Sequence, residues 1–410
     1  MKKSHRIGRP FGRLIATALT LVPGLWQSAA LADPPASLAV YNGRAGFVVT
    51  TFSYVLGPDA DEAGTCPRGM AKNLAEIYAL EPDGRQQPGE PDAAYTARVR
   101  QAVAALATLP DGNNVCLHPE AAPADPHFRT VTRSDIPVDG VDLDGKGADS
   151  GDYPADDFTS PEGVRGIDNQ FYRVVGCSRS FQSTGPSNTF GTEMLTGAWG
   201  ILVTLEGIDD LHNDDAVTVG IYANADPIQL SAAREPLGFA TYAMDQDPRF
   251  RATTSGVIRD GVLYTEPVDI RFHSIVNSLR LERPLRHARL QVTLGDDAGL
   301  QGFLAGYTPI EAMYDMQYGY RSGRGGDGKP GPLKLRLGTA NGAAFVLGHT
   351  CNGGWQALHQ LADGDCDGRS GECTSISTQY RLQAIPAFVV DAVTASSNAE
   401  LEKAERVDVY

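Results

Sequence analysis

The chain has 410 residues, with 35 Lys and Arg against 50 Asp and Glu and a formal net charge of −15. Phosphate backbones and anionic lipid are bound mainly by Lys and Arg, so this balance excludes nucleic acid as a partner. No repeat of roughly 20 to 50 residues is visible, which excludes a propeller or a solenoid.

Residues 1–32 read as a secretory signal peptide. Lys2, Lys3, Arg6, Arg9 and Arg13 form a basic start, an apolar stretch runs from Leu14 to Trp26, and Ala30-Leu31-Ala32 is a small-residue cleavage site. A retained membrane anchor needs about 20 apolar residues, and Pro23 and Gly24 interrupt a stretch already shorter than that. Cleavage before Asp33 predicts a soluble extracytoplasmic product, periplasmic or secreted, with no membrane span. That product carries 30 basic against 50 acidic residues, a net charge of −20. All six cysteines (Cys66, Cys116, Cys177, Cys351, Cys366 and Cys373) fall within it, which predicts three disulfides in an oxidising compartment. Proximity favours Cys66 with Cys116, or Cys366 with Cys373, but the sequence does not choose among the pairings.

Residues 33–110 open with a strand-like run, Ala45 to Tyr54, and then turn helical. From Asp92 to Leu109 the apolar positions Val99, Val103, Leu106 and Leu109 fall three or four apart, with Asp92 placed to cap the first turn and Arg98, Arg100 and Gln101 on the polar flank. Residues 111–166 are an acidic region rich in Pro and Gly, with little apolar periodicity to feed a core. Residues 167–393 change to period two: Val217, Val219 and Ile221, then Val268, Ile270 and Phe272, then Ala288, Leu290, Val292 and Leu294, then Leu333, Leu335 and Leu337. Closely spaced turn signals such as Arg259-Asp260-Gly261 favour a mainly β fold, an antiparallel β-sandwich of jelly-roll type with a small α-helical N-terminal elaboration. Short helices are expected near Ile310 to Met316 and Trp355 to Leu361, and residues 394–410 form a polar C-terminal tail.

The acidic clusters carry the most chemistry. The first comprises Asp135, Asp139, Asp142, Asp144, Asp149, Asp152, Asp156 and Asp157, with Asp142-Leu143-Asp144-Gly145 at its centre. Calcium takes roughly six to eight oxygen ligands, and alternating Asp followed by Gly lets a tight loop turn several carboxylates inward. The pattern resembles part of a calcium loop but departs from an EF-hand: Gly140 and Gly151 stand where its first and last ligands would be. Asp168 and Asn169 are candidates to complete the site. A second candidate, Asp363-Gly364-Asp365-Cys366-Asp367-Gly368, has Asp at loop positions one, three and five. Thr374 stands at its twelfth position, with Glu372 two residues early. Over about ten residues it is similar to the calcium-rich repeats of extracellular matrix proteins, which implies a disulfide-clamped calcium loop. A third cluster, Asp209, Asp210, His212, Asn213, Asp214 and Asp215, lies between two predicted strands and reads as a solvated hairpin loop. Structural calcium is therefore the expected cofactor, ordering a loop that buries too little apolar surface to order itself.

No nucleophile elbow, zinc-peptidase helix, phosphate loop or dinucleotide fingerprint occurs. A glycoside hydrolase needs only two facing carboxylates, for which Glu206, Asp269 and Glu311 are the candidates. His349 and His359 have no recognised metal-binding spacing. Tyr307, Tyr314, Tyr318, Tyr320 and Trp355 lie around a Gly-rich stretch and are the candidate ligand contacts. The expected function is a non-catalytic binding or structural protein that contacts glycan, polymer or protein; the alternative is a secreted hydrolase on the same scaffold.

Overall fold

The computed structural model describes residues 40–391, apart from 63, 146–156, 187–193, 196–198, 277–278, 296–298, 322–330 and 337–338. Residues 1–32, expected as a signal peptide, together with Asp149, Asp152, Asp156 and the tail 394–410, lie outside the described residues. β1 (Arg44–Tyr54) is followed by α1 (Leu74–Tyr78), α2 (Asp92–Leu106), β2 (Phe158–Thr159), β3 (Arg165–Ile167) and α3 (Gln170–Val175). Then come β4 (Ile201–Glu206), β5 (Asp214–Ala223), β6 (Ala240–Met244), β7 (Arg251–Arg259), β8 (Val262–Thr265) and β9 (Val268–Val276). β10 (Leu279–Leu294) and β11 (Leu300–Pro309) lead into α4 (Ile310–Tyr318), β12 (Gly319–Arg321) and β13 (Leu333–Leu335). α5 (Ala340–Leu347), α6 (Cys351–Gln360) and β14 (Ser375–Asp391) complete the order.

The expected sandwich is corrected: the main sheet is a closed eight-stranded antiparallel barrel. Its strands run β1-β4-β5-β7-β8-β10-β11-β14, and β14 returns to pair with β1, from Phe47 opposite Pro386 to Tyr54 opposite Tyr380. Period-two alternation describes a half-buried strand in either architecture. What separates them is one pairing between strands more than 300 residues apart, which no local pattern encodes. The ladders shift register between Val49 and Thr51 and between Arg286 and Arg289, and such irregularities bend strands toward closure. Eight strands leave an interior just wide enough for side chains, and large rings fill it. Phe52 stacks on Tyr380 at 4.6 Å and meets Trp199 and Phe272 edge-on.

Outside this path, β9 forms a hairpin with β10, and β6 lies parallel to the end of β14. The helix expected over Asp92 to Leu109 runs from Asp92 to Leu106, with Pro91 rather than Asp92 at the cap position. Arg98, expected on the exposed flank, is tied to Glu90 and to the Tyr78 hydroxyl, each at 2.8 Å. Both short helices form, as α4 and α6. Proximity identified one disulfide, Cys366–Cys373; the others join Cys66 to Cys177 and Cys116 to Cys351. The Cys66–Cys177 bridge belongs to a small satellite core with Val131, Ile136, Val138, Phe158, Ile167 and Tyr172, which anchors the Pro- and Gly-rich region.

Among the described residues no helix is long and apolar enough to cross a membrane. On β10, β11 and β14 the buried side chains Leu290, Val292, Leu304, Tyr380 and Leu382 alternate with exposed Thr293, Gln301, Arg381 and Gln383. This apolar-in, polar-out pattern is the inverse of that of a membrane-spanning barrel.

Candidate metal centre

Stretches far apart in the chain meet on the outer wall of the barrel, where β11 runs beside β14. The pairing sets Ala305 opposite Gln379 and Tyr307 opposite Ser377. Gln379 is buried, and its side chain fastens the incoming loop: Oε1 accepts from Val141 N at 3.1 Å, while Nε2 donates to Val141 O at 2.8 Å and Asp168 O at 2.7 Å. Gly140, at φ +145°, allows this approach, since a Cβ there would lie 2.8 Å from both the Gln379 side chain and Ile167. Val141 and Leu143 then pack on Ala305 and Tyr307. With the odd positions pinned against the wall, Asp142 and Asp144 stay at the surface.

Asp168 directly follows β3 and is buried. Its Oδ2 accepts from Leu143 N at 2.5 Å, so the loop backbone and this carboxylate hold each other. One carboxylate oxygen from each of Asp142, Asp144 and Asp168 lies within 4.8 Å of the others. Ligands around one calcium ion, at about 2.4 Å each, stand no more than about 5 Å apart, so the three can share a single ion. The donors are all carboxylate oxygen, which suits a hard divalent cation rather than zinc or copper.

The second acidic stretch reaches the same place through Asp363. Its backbone N donates to Ser375 O at 3.1 Å and its Oδ1 accepts from Ser377 N at 2.7 Å. Burial pushes Asp168 up to about 8; the Leu143 hydrogen bond opposes this, and the charges of Asp363, Asp157 and Asp144 add to it. Asp363 is pushed up to about 7, again mainly by burial, with the Ser377 hydrogen bonds opposing and Asp157 adding. Tyr307 beneath them is raised by burial and then by the charges of Asp168, Asp363, Asp144 and Asp142. Like charges gathered in a poorly hydrated place resist ionisation, and a cation relieves both burial and repulsion.

Other expected ligands have different partners. Asp365 turns to Arg286 at 2.6 Å and Ser375 Oγ at 2.7 Å, and Asp367 accepts from the backbone of Arg369 and Ser370. Asp363, Asp365 and Asp367 therefore do not converge as they would in an EF-hand loop. Asn169 caps α3 and donates to Val55 O. In the third cluster Asp214 accepts from the backbone of Asp209 and Ala216, the hydrogen bonding of a tight hairpin.

The aromatic candidates do not form one surface. Tyr314 and Tyr318 are buried, donating to Cys116 O and Thr350 O, and Tyr307 lines the floor of the acidic centre. Tyr320 and Trp355 are half-buried, the latter edge-on to Tyr314. The hydrolase candidates are likewise dispersed. Glu206 lies 3.8 Å from Arg44, Asp269 accepts from His287 N, and Glu311 is exposed in the first turn of α4.

His349 is fully buried between Phe128 and Phe181, with Nδ1 2.7 Å from Ser178 Oγ, while His359 packs on Trp355. Burial lowers His349 to about 3 from an ordinary 6.5. Between these values the unfolded chain takes up a proton that the folded chain refuses, so stability is lost as pH falls through the window. Replacing His349 with Gln, which keeps a hydrogen-bonding group but does not titrate, is expected to flatten acid destabilisation between pH 6.5 and 4. The difference from wild type should be on the order of 3 kcal/mol. Urea unfolding at half-unit pH steps measures it, and parallel curves for the two proteins would refute the assignment.

Sequence reasoning located Asp142, Asp144 and Asp168 but treated Asp363 as part of another loop. No signal joins Asp168 to Asp363 except the fold itself, through β3, β14 and Gln379. The chain matches no protein-family model, no curated protein and no solved structure.

Proposed function

We propose that the protein is a calcium-stabilised, disulfide-bonded extracytoplasmic barrel with a non-catalytic binding or structural role. The observation that carries this reading is the group Asp142, Asp144 and Asp168: three carboxylates close enough for one ion, one of them buried and raised by its acidic neighbours. Calcium fits the all-oxygen donor set and tolerates irregular loop geometry better than magnesium, which demands a near-octahedral shell. Backbone carbonyls and water would complete the shell. Bound there, calcium fastens residues 139–145 and the end of β3 to the barrel wall, in a region with only a small apolar core of its own. Three disulfides and an acidic surface accord with work outside the cytoplasm. The dispersal of Glu206, Asp269 and Glu311 weighs against the hydrolase alternative.

Metal analysis of the purified protein, paired with thermal unfolding in calcium and in chelator, tests the proposal. Stoichiometric calcium is expected, with a melting temperature that falls by several degrees on chelation and recovers on adding calcium back. A transition metal in its place, or a melt indifferent to chelator, would sink it.

A further inference from the structure

The wall that carries the acidic centre also carries a separate cleft of about 550 Å³, where β10, β11, β14 and β1 run side by side. Register places a row of uncharged polar side chains across these four strands. Thr293 faces Gln301, Gln301 faces Gln383, and Gln383 faces Thr51. All four are exposed, and the Thr51 hydroxyl donates to Gln383 Oε1 at 3.2 Å. Two residues along, on the same face, half-buried Phe303 supplies an apolar patch, with the Arg381 guanidinium 5.3 Å from its ring centre. Among the described residues lining the cleft Arg381 is the only charged one, and it is paired with Asp139.

We infer that this cleft binds a neutral oligosaccharide. Of this row Thr293, Gln301 and Gln383 line the cleft, and two strand spacings of about 4.8 Å make that part about 10 Å long, the span of a short chain of sugars rather than of a single ion. Amide and hydroxyl groups in a row match the alternating donors and acceptors of sugar hydroxyls, and the half-buried ring of Phe303 supplies an apolar contact for the C–H face of a pyranose. The charge balance selects against anionic chains: the one cation in the cleft is already neutralised, and the protein as a whole carries −15. None of the acidic-centre carboxylates lines the cleft, so the inference stands or falls apart from the calcium proposal.

Affinity electrophoresis of the full-length mature protein tests it, in native gels containing hydroxyethylcellulose, xylan, galactomannan or soluble β-1,3-glucan, with alginate as the anionic control. Retardation by at least one neutral polymer is expected, with none by alginate. The double variant Gln301→Ala/Gln383→Ala alters only exposed side chains, so it should keep the wild-type melting temperature while its affinity drops at least tenfold. The inference is overturned by free migration in all four neutral gels, by retardation in alginate alone, or by retardation that survives the double variant.

Discussion

An Asp168→Asn protein is expected to take up no calcium at the acidic centre and yet to melt higher than wild type in chelator at pH 8. Both results follow from one environment. Asp168 is buried, accepts from Leu143 N, and is surrounded by the charges of Asp363, Asp157 and Asp144, with Asp142 also in its group. Its ordinary value is 3.8, and in the fold it is pushed up to about 8. Between those values the folded protein holds a proton at this position that the unfolded chain has released, so stability falls as pH rises through the window. Asparagine keeps an oxygen to accept from Leu143 N, removes the charge, and brings an amide that can donate to the neighbouring carboxylates. The gain in chelator at pH 8 should be on the order of 4 kcal/mol, below the full linkage of about 5 kcal/mol because the linked groups share the penalty. In saturating calcium the order should reverse, because only wild type gains binding energy. Differential scanning calorimetry in both conditions measures this crossing of sign. A variant that melts below wild type in chelator would show that the Asp168 charge is not a burden on the fold, and calcium retention would show that it is not a ligand.

Calcium affinity is expected to climb steeply between pH 6 and 8, by on the order of 500-fold. At pH 6 both Asp168, near 8, and Asp363, near 7, hold protons in the cation-free fold. A divalent ion binds the ionised forms, so each displaced proton contributes about tenfold per pH unit below its own value. Titration calorimetry in buffers of different ionisation enthalpy counts the protons: between one and two released per calcium at pH 6.5, falling toward none above pH 8.5. His349 does not interfere above pH 6.5, because it is neutral there in both folded and unfolded chains. Affinity that is flat from pH 6 to 8 would place calcium away from these carboxylates.

Much of the secondary structure was legible because its signals are local. The alternation at Val217, Val219 and Ile221 and at Leu290, Val292 and Leu294 marked real strands, and the apolar spacing at Val99 and Val103 marked α2. The closed barrel was not legible, because its deciding contact joins Tyr54 to Tyr380 and those residues only report that each is half of a strand. The same limit explains the site. Asp142 and Asp144 could be chosen from their spacing, and Asp168 from its place just beyond the acidic run. Asp363 was grouped with Asp365 and Asp367 because they alternate along the chain, whereas Arg286 and the local backbone take the latter two away. The tyrosines misled for another reason: an amphipathic ring near a flexible stretch looks the same in sequence whether it faces solvent or core, and the burial of Tyr314 and Tyr318 depends on α6 and the Cys116–Cys351 bridge above them.

The pairing of β1 with β14 also orders events in time. Until Ser375 to Asp391 is available, β1 and β11 each present an unsatisfied edge, and the ring of strands cannot shut. An emerging chain therefore stays open, and prone to wrong edge-to-edge pairing, through almost its whole synthesis, so that closure is a late, slow step of high contact order. A chain cut short before residue 375 would not be a smaller version of this protein but an open sheet with two sticky margins.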